Sequence, residues 1–187
     1  MTQLALLRHA DTAWSREGRI QGRVDLPLLK NISIYLPDAC RGMRVVTSPL
    51  ARCVQTAALI GAPDAPREPR ISEMSWGDWE GESLTALRAR LGDEMRANEA
   101  RGLDFRPVNG ESPREVTSRV KGWLQEIAAQ GVPTLAVTHR GVIRAILADA
   151  SGWDMRGKPP ARLEWDAVHL FSLDREGRPS IERLNVR

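Results

Sequence analysis

An arginine and a histidine stand side by side where the first apolar segment of the chain ends. Residues 4–7 are consecutive apolar side chains, a run typical of a short buried strand, and Arg8 and His9 follow directly. In open α/β sheets, ligands bind just beyond the carboxyl ends of the strands. A permanent cation beside an imidazole there suits an anionic group such as a phosphate, although a solvated strand end would show the same pair.

A second histidine and a second arginine occupy comparable places. His139 follows the apolar segment 134–138, and Arg52 lies in the first turn of a helix predicted to begin with Ser48 as its N-cap. The free backbone N–H groups at such a helix start favour anions. Because the carboxyl ends of parallel strands meet at one sheet edge, two imidazoles and two guanidiniums can converge there into a pocket for a phosphoryl group.

A carboxylate near this cluster would supply a general acid. Glu73 and Glu111 each enter a loop after the end of an element, and both remain candidates on this reasoning. A metal site built from His9, His139 and a carboxylate is disfavoured, because two arginines aimed at the same place would repel a cation.

Strands and helices are predicted to alternate along the chain. Strands are expected at residues 4–7, 44–47, 70–72 and 134–138, followed by a hairpin at 167–173 and 180–186. Helices are expected at 48–60, 84–95, 112–130 and 141–150. The segment 31–43 fits either a short helix or an irregular crossover. This alternation predicts an α/β fold, a three-layer α/β/α sandwich with a mainly parallel sheet.

Local patterns define two of these helices more closely. Ser112, Pro113 and Glu115 form a capping box with proline at the first helical position, and Gly131 is expected to end that helix. The helix that begins near Ser48 is expected to bury a stripe made of Leu50, Val54, Ala57 and Ala58.

Composition narrows the possible partners. The 187 residues suit a single domain over 1–187, with 42% hydrophobic and 27% charged residues. The formal net charge is +3, but the arginines are scattered singly, so we expect small anionic ligands and no nucleic acid. No apolar run has the roughly 18 residues of a membrane span, and no signal peptide is evident. We therefore expect a cytoplasmic protein without a membrane partner; its oligomeric state stays open.

Isolated residues receive simpler interpretations. Cys40 and Cys53 show no metal-like spacing and are predicted to be two buried thiols. His169, in the C-terminal hairpin, is predicted to be structural.

Several blocks of sequence, in order along the chain, form a common pattern. The first is Arg8-His9-Ala10, and the others lie at residues 18–28, 48–57, 73–81, 110–112 and 137–141. Together they resemble the histidine phosphatase superfamily, the phosphoglycerate mutase-like family (branch 1), which has Arg-His-Gly at the first block. In size and motif spacing the chain looks most like the broad-specificity and α-ribazole phosphatases of that family.

The resemblance implies a phosphoryl transfer in two steps without metal or cofactor. Unprotonated His9 would attack phosphorus and form a phosphohistidine. Arg8, Arg52 and His139 would hold the equatorial oxygens. Glu73 would protonate the leaving oxygen and then help water to cleave the phosphohistidine.

The resemblance also implies a set of substrate-binding residues and shows three departures among the matched positions. The implied residues are Trp14, Ser15, Gln21, Gly22, Glu111 and Arg140. Ala10 replaces the usual glycine, Ser15 stands where asparagine is common, and Arg140 stands where glycine is common. Arg140 could reach the far end of the substrate or point to solvent. The segment 29–47 is also shorter than the family's usual crossover.

These expectations favour a metal-independent phosphatase that acts on a small phosphorylated metabolite through His9. One alternative is a phosphoglycerate mutase, although family mutases are usually longer. The other is a non-catalytic, phosphate-binding regulatory protein on the same fold. The presence of every expected catalytic side chain argues against that last possibility.

Overall fold

A five-stranded sheet forms the centre of the computed structural model, which describes residues 1–187. Its strands are β1 (Thr2–Arg8), β2 (Arg44–Thr47), β3 (Thr134–Thr138), β4 (Val168–Leu173) and β5 (Pro179–Val186). They lie in the order β2-β3-β1-β4-β5, with β2, β3 and β1 parallel and the hairpin β4–β5 antiparallel. The predicted α/β fold with a mainly parallel sheet is confirmed.

Six helices accompany the sheet: α1 (Ala13–Arg16), α2 (Ala51–Leu59), α3 (Leu84–Leu91), α4 (Asp93–Glu99), α5 (Pro113–Gln130) and α6 (Arg140–Ser151). Successive side chains of β1 point to opposite faces, as strand geometry requires. Leu4 and Leu6 pack in the larger core cluster with α5 and α6, whereas Ala5 and Leu7 pack with α2. The sheet is therefore covered on both faces. None of the six helices combines the length and apolar character that a membrane crossing requires.

The start and end of α5 follow the sequence pattern. Ser112 Oγ accepts a hydrogen bond from the backbone of Glu115, and the Glu115 carboxylate accepts one from the Ser112 backbone N–H. Gly131 adopts a left-handed conformation with φ of 66°, which glycine reaches without strain, and terminates the helix.

The prediction for α2 was wrong in its first residue and in its buried face. Ser48 is not the N-cap, because the helix begins at Ala51 and the extended Leu50 occupies the N-cap position. The Asp25 carboxylate accepts a hydrogen bond of 2.7 Å from the Ala51 N–H, so a side chain occupies this expected anion site. Of the predicted apolar stripe only Ala57 is buried, and the other buried positions of α2 are Arg52, Cys53 and Thr56.

Two other segments differ from the prediction, and a third shows which of two predicted possibilities is correct. Residues 70–72, expected as extended, lie at a 3₁₀ turn (Pro69–Ile71). The helix expected over 84–95 is divided into α3 and α4 at Gly92, whose positive φ of 53° breaks it. The segment 31–43 is largely irregular, with one 3₁₀ turn at Asp38–Cys40.

The expectations for the two cysteines and for His169 agree with the structure. Cys40 and Cys53 are buried free thiols, as predicted. His169 lies inside the sheet on β4, opposite Leu6 of β1. Its Nδ1 accepts a hydrogen bond from the Asn185 N–H, and burial lowers its pKa to about 4.

Candidate active site

The carboxyl ends of the parallel strands β1 and β3 bring the two histidines together. Arg8 pairs in register with Thr138, and the His9 N–H donates to the Thr138 carbonyl at 2.9 Å. His9 and His139 are thereby held with their ring centroids 5.2 Å apart. The parallel register thus produces the convergence that the sequence predicted.

Hydrogen bonding determines which nitrogen of His9 is free to react. Its Nδ1 lies 2.7 Å from the carbonyl oxygen of Ala10. A carbonyl only accepts hydrogen bonds, so Nδ1 carries the proton and Nε2 keeps its lone pair. Burial, together with the charges of Arg8 and Arg52, lowers the pKa of His9 well below its ordinary value. His9 is therefore a neutral imidazole with an available Nε2.

Arg8 and Arg52 are both buried beside His9. Burial first, and then the charge of Arg140, lowers the pKa of Arg8 to about 10. The Arg52 guanidinium donates to the carbonyls of Gly22 at 2.7 Å and Val24 at 2.8 Å. The Nε–H groups of Arg8 and Arg52 are buried without any acceptor. Unpaired buried donors carry a cost in free energy, which an oxyanion bound here would remove.

His139 lies behind His9 and does not line the cavity described below. Its Nε2 is 2.8 Å from Ser48 Oγ and 3.4 Å from Cys53 Sγ. Burial and nearby positive charges lower its pKa well below the ordinary value. Ser48, expected as a helix cap, therefore contacts the second histidine; the sequence held no local signal for this contact.

Glu73 is buried and bound to the start of α6. Its Oε1 accepts hydrogen bonds from the backbone N–H groups of Met74 at 2.9 Å and Gly141 at 3.0 Å. Burial raises the pKa of Glu73 despite these bonds and the neighbouring arginines. Gly141 permits this approach, because a Cβ there would lie 2.4 Å from Glu73 Oε1.

Glu111 has opposite surroundings. Arg119 binds its carboxylate at 2.7 and 3.2 Å, and Arg23 and the Ser75 N–H approach it as well. Burial alone would raise the pKa of Glu111, but the bonds and charge of Arg119 outweigh it and hold this pKa below its ordinary value. Glu111 thus stays ionised, which disfavours it as the proton donor that the sequence left possible.

Arg119 fastens the loop that carries Glu73. Beyond its ion pair with Glu111, it donates to the carbonyls of Arg70, Ser72 and Glu73. Arg119 was not among the predicted site residues, because nothing in the sequence around it distinguishes it from the other scattered arginines.

Hydrogen bonds join residues 18–28 to α2. Besides the bonds of Arg52 and Asp25, the Leu28 N–H donates to the Gln55 side chain at 2.8 Å. Thr56 Oγ1 accepts from the Ala10 N–H at 3.0 Å, which connects α2 to the loop after β1. Side chains of α2 thus hold the backbone around His9.

A cavity of about 670 Å³ adjoins these groups. Arg8, His9 and Glu73 line it, whereas Arg52, like His139, lies behind its wall. Of the expected substrate-binding residues, Ser15, Gln21, Gly22 and Arg140 line it.

Two expected substrate-binding residues, Trp14 and Glu111, are not on the cavity wall. The Trp14 ring instead packs under Arg19, 4.5 Å from the guanidinium carbon. No group of three or more His, Cys, Asp or Glu side chains is placed to hold a metal ion.

Comparison with known proteins gives a consistent result. The model of the histidine phosphatase superfamily (branch 1) matches residues 4–187. The uncharacterized phosphatase PhoE of Bacillus subtilis is 29% identical over 167 residues, which are 82% of this chain and 80% of that protein. The metal-independent phosphoserine phosphatase of Arabidopsis thaliana is 32% identical over 78% of this chain and 67% of that protein.

A solved structure shares the fold. Bacillus stearothermophilus YhfR superimposes with a TM-score of 0.80 at 23% identity, over 100% of this chain and 98% of that one. The family match, the similarity to named phosphatases and the paired histidines at neighbouring strand ends agree. The chain belongs to branch 1 of the histidine phosphatase superfamily and is a phosphatase.

Proposed function

We propose that this protein hydrolyses a small phosphomonoester without a metal ion, through a phosphohistidine formed on His9. The single observation that carries the proposal is the state of His9. A neutral imidazole whose Nδ1–H is bound to the Ala10 carbonyl leaves Nε2 as a nucleophile at the cavity wall.

In the first step, Nε2 of His9 attacks phosphorus in line with the ester oxygen. An N–P bond forms while the P–O bond to the leaving alcohol breaks. Glu73, whose pKa is raised by burial, supplies the proton that the leaving oxygen needs. Its proton goes to the departing alcohol, and Glu73 becomes a carboxylate.

Positive charge around His9 stabilises the transferring phosphoryl group. The unpaired Nε–H group of Arg8 is a donor suited to its equatorial oxygens, and a contact from the unpaired Nε–H of Arg52, which lies behind the cavity wall, is part of the proposal. His139 lies directly behind His9, and its contact with the phosphoryl oxygens is part of the proposal. Because these groups are fixed before substrate arrives, little reorganisation is required in the transition state.

In the second step, water takes the place left by the alcohol. The Glu73 carboxylate accepts a proton from this water as its oxygen attacks phosphorus, and the P–N bond breaks. Orthophosphate and neutral His9 are released, and Glu73 is protonated again. Ser15, Gln21, Gly22 and Arg140 are the proposed contacts for the remainder of the substrate.

The test is hydrolysis of p-nitrophenyl phosphate in EDTA by the intact protein and by His9→Ala. We expect turnover that survives EDTA and falls by about 10³-fold or more in the variant. Quenching in alkaline detergent should trap a phosphoprotein that is stable to base and labile to acid, and only in protein with His9. Turnover that EDTA abolishes while His9→Ala stays active would overturn the mechanism. If the intact protein binds the ester but does not hydrolyse it, the alternative of a non-catalytic, phosphate-binding regulatory protein would be favoured.

A further inference from the structure

Five arginines line the cavity, which is more positive charge than one phosphoryl group requires. Arg8 adjoins His9. Arg88 is paired with Glu99 at 2.7 Å, and Arg19 donates to the Gly81 carbonyl at 2.6 Å. These three therefore have assigned partners or a place beside the phosphoryl group. Arg140 and Arg144 remain.

Arg140 and Arg144 lie one turn apart on α6 and make no hydrogen bond or ion pair within the protein. Each is held against an indole ring instead. The Arg140 guanidinium carbon is 4.8 Å from the centroid of Trp165, and that of Arg144 is 5.0 Å from Trp153. A guanidinium stacked on a ring keeps its N–H edge free for a planar oxyanion.

Positive charges lie close together around Arg140 and Arg144, although Glu73 and Asp11 partly offset the effect at Arg140. Burial lowers the pKa of both, and the charge of Arg140 also lowers the pKa of Arg144 and of Arg8. Arg140 is exposed and Arg144 is half-buried, and two like charges one helix turn apart repel each other. A second anion between them and Arg8 would relieve this repulsion.

We infer that Arg140 and Arg144 form a second oxyanion site, which binds a carboxylate or phosphate on the leaving-group part of the substrate. The inference rests on the proposed function, because it assumes that the first phosphoryl group lies at His9. Apolar side chains of Trp76, Phe105 and Met155 also line the cavity and would contact the body of the leaving group.

Two synthetic esters test the second site. The first, 4-carboxyphenyl phosphate, carries a carboxylate across the ring from the ester oxygen. The second, 4-carbamoylphenyl phosphate, is nearly the same shape but neutral there. We expect kcat/KM for the carboxylate ester to exceed that for the amide ester by about tenfold or more. In Arg140→Gln/Arg144→Gln this ratio should fall to about one.

A matched control removes two positive charges elsewhere. Arg175→Gln/Arg183→Gln changes two exposed arginines of the β4–β5 hairpin and should keep the ratio of the intact protein. If that control also lowers the ratio, general charge attraction explains the preference and the second site is overturned. A ratio near one in the intact protein overturns it as well, while leaving the phosphatase proposal in place.

Binding measurements test the second oxyanion site independently of the proposed phosphatase mechanism. Affinities of both esters for His9→Ala protein, measured by calorimetry, need no turnover. A preference for the carboxylate ester that disappears in His9→Ala/Arg140→Gln/Arg144→Gln supports the second site even if hydrolysis fails. Including 1,4-phenylene bisphosphate distinguishes the oxyanion: tighter binding than the carboxylate ester indicates phosphate, and weaker binding indicates carboxylate. Equal affinity of His9→Ala protein for charged and neutral esters would overturn the inference.

Discussion

The two ends of the cavity are built in different ways. At the phosphoryl end (Arg8, His9 and Glu73), the backbone positions the reactive groups: a carbonyl fixes the His9 ring, and two N–H groups hold Glu73. At the proposed leaving-group end (Arg140, Arg144, Trp153 and Trp165), both charged side chains rest on indole rings and neither bonds to the backbone. In the proposed mechanism, strand ends would fix the position of the reaction, and the side chains of the other end would select the alcohol.

Glu73 and Glu111, which both lie in loops, also differ in how they are bound, and their pKa values shift in opposite directions. Glu73 receives only backbone N–H groups and is buried, so its pKa is raised. Glu111 is bound by arginines, so its pKa is lowered. One carboxyl group can carry a proton to the substrate, whereas the other acts as a fixed anion that holds Arg119 and the loop.

The largest predicted loss of activity distinguishes the role of Glu73 from that of Glu111. We expect Glu73→Gln to reduce kcat/KM for an alkyl phosphate by about 10²- to 10⁴-fold, because no proton reaches the poor leaving group. The loss should be smaller for p-nitrophenyl phosphate, whose leaving group needs little protonation. Steady-state kinetics with both esters provides the measurement.

Glu111→Gln is the comparison for that experiment. It removes an ion pair to Arg119, so we expect a lower free energy of unfolding and an equal loss with both esters. A selective loss with the alkyl ester in Glu111→Gln, and none in Glu73→Gln, would exchange the roles of the two residues.

We expect kcat/KM to change about tenfold per pH unit on the acid limb and on the alkaline limb of its pH profile. The pKa of His9 is lowered, so the neutral nucleophile persists below pH 6.5, and activity is lost only as the pH falls further. The pKa of Glu73 is raised, so its proton is retained above pH 4.5 and activity declines as the pH rises through the raised value. The dependence of kcat/KM on pH reports both groups in the free enzyme.

The Glu73→Gln variant tests whether ionisation of Glu73 causes the alkaline limb of the pH profile. The variant should lose this limb for p-nitrophenyl phosphate while keeping the acid limb of His9. If the alkaline limb persists unchanged, ionisation of another group or of the substrate causes it, and Glu73 is not the acid.

The sequence predicted most of the phosphoryl end because its signals are local. Apolar runs ending at Arg8 and His139 define strand ends, and parallel pairing necessarily brings such ends together. The α5 cap likewise depends only on residues 112–115.

The errors arose where a residue's partner is distant in sequence. Ser48 has the type and position of an N-cap, yet it contacts His139, 91 residues away. The buried face of α2 could not be found from apolar spacing, since it includes Arg52 and Thr56, which are buried to bind the loops around His9. Arg140 remained undecided because its indole partner, Trp165, lies beyond α6.

The smallest predicted effect is that of replacing Trp165, the indole partner of Arg140. Trp165→Leu keeps an apolar side chain but removes the ring face beneath Arg140, and cation–π contacts of this kind contribute about 0.5–1 kcal/mol. We expect the carboxylate-to-amide ratio of kcat/KM to fall about two- to fivefold, by conversion of that energy. Trp14→Leu is the control, because Trp14 underlies Arg19, whose guanidinium is also bound to the Gly81 carbonyl. An equal fall in both variants would mean that indole stacking does not orient Arg140, and the leaving-group end would then depend on the arginines' charge alone.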